Sequence, residues 1–198
     1  MTICANQPQS ITDNGSCTVS QPQLHLIESE FGDFRQLFKN EFEYVCAVLR
    51  RLGVRPGDLE DVAHDVFLVV HRRLDSFDRT RPLRPWLFGI AYRVTAAYRR
   101  SRARREYPTE EINETAHDAP SAEENLRAAQ ARHVLLQALE QVALERRAIL
   151  IMHDIDEQPM RVITETLNIP LFTGYSRLRL ARKELARAVR RTQVLEER

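Results

Sequence analysis

The sequence predicts an all-α protein: two small helical domains joined by a flexible acidic linker, the C-terminal one a helix-turn-helix. Three observations predict this. Apolar residues recur at three- and four-residue spacing through most of the 198 residues. The hydrophobic fraction of 43% is enough for a core, and only six glycines interrupt the chain. The charges are segregated: nine arginines and no acid lie between Arg79 and Arg105, whereas every charged side chain from Glu106 to Glu124 is acidic. A net charge of +1 therefore conceals separate surfaces for separate partners.

Residues 1–25 are polar and rich in Pro, Ser, Asn and Gln, the composition of a disordered tail. They lack the basic start and apolar run of a signal peptide. No segment approaches the roughly 20 apolar residues of a membrane span, so no membrane insertion is expected. Cys4, Cys17 and Cys46 form no CxxC and no disulfide framework, which suits a reducing cytoplasm. Cys46 reads as a small core residue.

A first helix is expected from Glu28 to Leu52, with Phe31, Phe34, Phe38, Phe42, Val45, Leu49 and Leu52 on one stripe. Gly53 and the Arg55-Pro56-Gly57 turn stop it. Asp58 suits the N-cap of a second helix reaching Leu74, whose apolar face is Leu59, Val62, Val66, Phe67, Val70 and Leu74. A loop from Asp75 to Arg84 leads to Pro85, placed to start a third helix running to Arg105. Trp86, Ile90, Val94, Ala97 and Tyr98 are its expected buried side. Residues 26–106 make up the first domain.

Residues 107–120 have no periodicity and contain two prolines, so they read as the linker. Ser121 with Glu124 fits a capping box opening a helix to Val142, and another covers Glu145 to Asp154. The second domain, 121–192, closes with a helix from Met160 to Leu167, the join Asn168-Ile169-Pro170, and a long basic helix. Asn tolerates the left-handed backbone of a tight inter-helix turn, and Pro suits a first helical turn. Leu171, Gly174, Leu178, Ala181, Leu185 and Ala188 fall on one face of the last helix. Ser176, Arg177, Arg179, Arg182, Lys183, Arg187, Arg190 and Arg191 fall on the other, suited to a DNA groove.

Enzyme chemistry finds little support. There is no P-loop, GxGxxG, GxSxG or HExxH. Asp61, His64 and Asp65 lack a second cluster to complete a metal site, so neither metal nor cofactor is expected. Asp154, Asp156 and Glu157 read as a solvated acidic turn. The third helix interleaves Trp86, Phe88, Tyr92 and Tyr98 with arginines, five of them within Arg99–Arg105. Aromatics stack on unpaired bases and arginines hold phosphates, a composition suited to strand-separated DNA, with Trp86 itself expected in the core.

Three motifs in order, DLEDVAHDVFLVVHRRLDSFD, LRPWLFGIAYRVTAAYRRSRARR and IPLFTGYSRLRLARKEL, resemble the extracytoplasmic-function branch of the sigma-70 family of bacterial RNA polymerase initiation factors. The resemblance covers residues 28 to 192. It implies a promoter-specific initiation factor that is not itself an enzyme. It implies docking on the clamp of the polymerase beta-prime subunit through Asp61, His64, Asp65 and Phe67. It further implies capture and melting of a minus-ten element by the loop from Asp75 to Pro82, with Ser76, Phe77, Asp78, Arg84, Trp86, Arg93, Arg99 and Arg100. Reading of the minus-thirty-five element would fall to Thr173, Tyr175, Ser176, Arg177, Arg179, Arg182 and Lys183, with contact to the polymerase beta flap. An anti-sigma partner is implied as well. Departures from the family pattern stand at His64, Arg93, Phe172, Gly174, Tyr175 and Leu180. With the chain ending just after the last helix, no C-terminal regulatory domain is expected. The alternatives are an autonomous helix-turn-helix regulator, which would bind a palindromic duplex tightly without polymerase, and a helical metal-dependent enzyme, which would hold stoichiometric metal.

Overall fold

The computed structural model describes the backbone of residues 23–105 and 124–196, with side chains placed over 34–104 and 130–191. All regular structure among these residues is helical. The expected tail, the linker and the Ser121 capping box lie outside the described residues, wholly or nearly so.

Helices α1 (Gln23–Leu52), α2 (Leu59–Arg73) and α3 (Leu83–Arg105) pack pairwise on one another. Val45, Val48, Leu49 and Leu52 of α1 meet Val62, Ala63, Val66, Phe67 and Val70 of α2, all buried. Phe34, Phe38 and Phe42 close around Phe67, with ring centroids 6.5, 4.6 and 6.1 Å from it. Asp58 precedes α2 as expected, but its carboxylate does not cap that helix. It accepts instead from the Tyr98 hydroxyl and from Arg102, both on α3. The first-turn amides of α2 lose a cap, and the two helices gain a tie.

The buried side of α3 is rotated from the expected one. Leu87, Phe88, Ile90, Ala91 and Thr95 are buried, Ala97 is exposed, and Trp86 is half-buried. Helix α3 touches α1 and α2 on one side and α6 on another, so two apolar stripes overlap along it. Phe88 is sealed at 0% exposure and reaches no ligand surface.

Beyond residue 123 come α4 (Glu124–Glu140), α5 (Leu144–Leu150), a π-turn (Ile151–Ile155), α6 (Met160–Leu167) and α7 (Leu171–Glu196). The turn between α6 and α7 forms as expected, with Asn168 in the left-handed region at φ 53°. Gly174, Leu178, Ala181 and Ala188 are buried along α7. A Cβ at Gly174 would stand 2.6 Å from Thr164 Cγ2 and 2.8 Å from Met160 Sδ. The glycine's propensity cost of about 0.5–1 kcal/mol is thus the condition for close α6–α7 contact.

The helices on either side of residues 106–123 share one buried cluster. Arg147 of α5 is 1% exposed and crosses between them. It donates to the carbonyl oxygens of Leu52 at 2.7 Å, Glu140 at 2.6 Å and Val142 at 3.0 and 3.2 Å. Gly53 (φ 88°) turns the chain there, and a Cβ at this position would run into the Arg147 guanidinium. Burial, reinforced by the nearby Arg99 charge, pulls the Arg147 pKa down to about 10, still protonated at neutral pH. Asp156 is a second tie. It accepts from Tyr44 at 2.9 Å and pairs with Arg51 at 3.5 Å, so it is no solvated turn residue. Burial raises its carboxyl pKa, and burial together with the Asp156 charge raises that of the Tyr44 phenol.

Arg147→Met keeps the apolar stem and removes the donors. Each orphaned carbonyl costs about 1–3 kcal/mol, and each kcal/mol moves the midpoint by roughly 2–4 °C at this chain length. The melt followed by fluorescence of the single tryptophan, Trp86, should fall by several degrees. An unchanged midpoint at Trp86 would show that Arg147 does not tie the two sides.

A second prediction concerns alkaline pH. Burial and the bond to Asp58 raise the Tyr98 pKa from 10.0 to about 12. The folded chain holds that proton longer than the unfolded one, so the contribution is complete below about pH 10 and fades as pH rises towards 12. Urea unfolding should therefore show a shallower loss of stability over that window in Tyr98→Phe than in the parent. Parallel curves would remove Tyr98 as the cause.

Candidate nucleic-acid interface

The loop after α2 and the start of α3 form one wall of a cavity of about 730 Å³. Ser76, Phe77 and Asp78 lie on the loop, and Pro85, Trp86, Gly89 and Arg93 on the helix. The opposite wall is α6, through Arg161, Val162, Glu165 and Thr166. Phe77 and Trp86 pack ring against ring, centroids 4.6 Å apart, so Trp86 presents an aromatic surface to the cavity while bracing the loop. The Ser76 hydroxyl donates to the Arg73 carbonyl at 2.8 Å. Asp78 accepts from the Thr80 amide at 3.0 Å and hydroxyl at 2.6 Å, which lowers its pKa. Both bonds shape the loop locally.

The arginines of this region divide by partner. Arg84 pairs with Glu41 at 3.1 Å and lies over the Tyr44 ring. Arg93 donates to the carbonyl oxygens of Gly89 at 3.0 Å and Thr166 at 3.4 Å, which bridges α3 to α6. Arg102 is tied to Asp58. Arg99, Arg100 and Arg104 are exposed along the last described turns of α3. Tyr92 is half-buried, and burial raises its pKa.

On α2, Asp61, His64 and Asp65 stand together on the exposed face, with Leu68 beside them at 43% exposure. Phe67 was expected with them but is 2% exposed, enclosed by the α1 phenylalanines. The α2 surface patch is therefore Asp61, His64, Asp65 and Leu68; the last was missed because it breaks the polar pattern of the face.

On α7, the exposed stripe runs through Phe172, Tyr175, Arg179 and Lys183. Thr173, Ser176 and Arg177 are half-buried, and the Ser176 hydroxyl donates back to the Thr173 carbonyl at 3.0 Å. Arg177 faces Tyr92 closely enough for its charge to favour the phenolate. Arg182 is bound to Asp154 at 2.6 and 2.9 Å, which lowers the Asp154 pKa and raises that of Arg182. Arg146 holds Glu184 at 2.9 Å, so the acid of α7 faces inward to α5.

The family model described as Sigma-70 region 2 matches residues 37–105, which spans the second half of α1, all of α2, the cavity loop and all of α3. The ECF RNA polymerase sigma factor SigW of Bacillus subtilis is 24% identical over 172 residues, 82% of this chain and 90% of that protein. Residues 37–105 are a sigma-70 region 2, and the likeness to an extracytoplasmic-function sigma factor runs over most of the chain. The chain is an RNA polymerase sigma factor, a specificity subunit and not an enzyme in its own right. The sigma factor NccH of Alcaligenes xylosoxydans is 29% identical over 123 residues, 60% of this chain and 66% of that one. Among solved structures, the sigma factor RpoE of Bartonella quintana, in complex with the anti-sigma factor NepR, superposes with a TM-score of 0.65 at 20% identity. The match covers 80% of this sigma factor and 97% of RpoE, and shows a shared fold. CnrH, in complex with the cytosolic domain of CnrY, superposes with a TM-score of 0.53 at 23% identity over 77% and 84% of the two chains. No described helix of this sigma factor is long and apolar enough to cross a membrane.

Proposed function

We propose that this sigma factor divides its work between two units, residues 26–106 and 121–192, acting in the cytoplasm with core polymerase and promoter DNA. The exposed Asp61, His64 and Asp65 of α2 dock on the polymerase clamp. The loop from Asp75 to Pro82, backed by Phe77 and Trp86, takes up a base displaced from the minus-ten element, and Arg99 and Arg100 hold the adjoining phosphates. Helix α7 enters the major groove of the minus-thirty-five element, with Tyr175, Arg179 and Lys183 outward, while the second unit touches the beta flap. Ser176, Arg177 and Arg182 join the DNA contacts once freed from their present neighbours.

The observation that carries this reading is the cavity wall. An aromatic pair backs a loop of short polar side chains, and the exposed arginines of the same helix continue from it. That arrangement suits a single unstacked base and the backbone beside it. Helix α6 covers the same cavity, so a base enters after α6 has moved aside. The two solved neighbours are complexes with an anti-sigma factor or a cytosolic protein domain. By extension, a protein partner of the anti-sigma kind suits this chain as well.

The test is association with core polymerase. The wild-type chain should co-purify with it stoichiometrically, and the variant carrying Asp61→Arg and Asp65→Arg should not, although both substituted side chains are solvent-facing and the variant should fold. The isolated chain should bind promoter duplex weakly, since each unit makes few base and phosphate contacts. Sub-micromolar duplex affinity at physiological salt without polymerase would favour an autonomous regulator instead.

A further inference from the structure

Phe172 is 83% exposed, the most exposed of the large apolar side chains among the described residues. Leu171 (50%) and Tyr175 (56%) stand beside it on the first two turns of α7. The face behind them, Gly174 and Leu178, is buried, so the helix is already anchored and these rings are not needed for its packing. Continuing down the exposed stripe come Arg179, Lys183 and Arg187. No acid is exposed on α7 between Leu171 and Arg191. The stripe is thus apolar at the helix start and cationic beyond it.

A surface of this kind suits a polyanion that also offers an apolar feature. In the major groove that feature is the 5-methyl group of thymine, the one base substituent an apolar side chain can read. The first turns of a recognition helix are where side chains reach base edges. We propose that Phe172 and Tyr175 select thymine in the upstream promoter element through its methyl group, while Arg179 and Lys183 hold the phosphates. This rests on α7 being the promoter reader. Sequence preference at those positions then comes from these two rings.

The test uses holoenzyme reconstituted from the full chain and core polymerase. An upstream element is first selected from a randomised library by the wild-type holoenzyme. Each thymine in it is then replaced by deoxyuridine, which removes only the methyl group. At one or two positions, wild-type output should fall about fourfold, the effect of one lost apolar contact of about 0.8 kcal/mol. Phe172→Ala or Tyr175→Ala should be lower on thymine templates and indifferent to the replacement at its own position. Arg179→Ala should weaken thymine and deoxyuridine templates alike. A wild-type holoenzyme that prefers an upstream element but treats thymine and deoxyuridine equally throughout would overturn this proposal and leave α7 as the reader. An absence of any upstream preference would remove α7 as the reader and this proposal with it. A wild-type pattern of methyl sensitivity, unchanged at every position in both alanine variants, would also overturn it.

Discussion

Arg147 is the interaction on which the arrangement of this molecule depends. A guanidinium with no carboxylate partner among the described residues is buried where α1 ends, and four bonds to carbonyl oxygens hold it there. The last carbonyls of a helix have no intrahelical donor and carry the negative end of its dipole, so a cation at that point is favourable. One side chain thus finishes α1 and also ties α5 to it across 95 residues of sequence. These bonds, with the nearby Glu140 charge, oppose the desolvation of the guanidinium, and Gly53 leaves the room it needs.

From that tie follows the position of everything proposed to meet DNA. With α5 fixed on α1, the Tyr44–Asp156–Arg51 cluster closes beside it, and α6 is laid along α3 through Gly89, Arg93 and Thr166. The cavity loop and the helix-turn-helix are consequently neighbours in this packed form. Arg93 is bonded to α6 and Arg182 to Asp154. A substantial part of the positive charge proposed for nucleic acid is engaged within the protein. Arg99, Arg100, Arg179 and Lys183 are exposed, together with the two rings at the start of α7.

Much of this was legible in the chain where the cause is local. The left-handed Asn168, the α7 face from Gly174 to Ala188 and the apolar faces of α1 and α2 follow from backbone preference and helical period, and the structure has them, whereas Leu171, expected on the same α7 face, is 50% exposed. The surface character of Asp61, His64 and Asp65 was legible for the same reason. What escaped needs knowledge of a distant partner. Asp156 read as a solvated turn because Tyr44 lies 112 residues away. Arg147 carried no signal at all, being one arginine among many on an amphipathic segment. The register of α3 was misread because that helix is packed on two sides and has no single stripe. The need for glycine at 174 shows only in the approach of Met160 and Thr164.

The central claim is that promoter opening needs this chain and core polymerase together, with Trp86 and the adjoining loop holding the displaced base. The most direct measurement is the fluorescence of 2-aminopurine placed in the minus-ten element of a duplex promoter, which rises when that base unstacks. The account predicts a rise only when core polymerase and the chain are both present. Phe77→Ala should abolish that rise while polymerase still co-purifies with the chain. Opening by core polymerase alone, or an undiminished rise with Phe77→Ala, would contradict it.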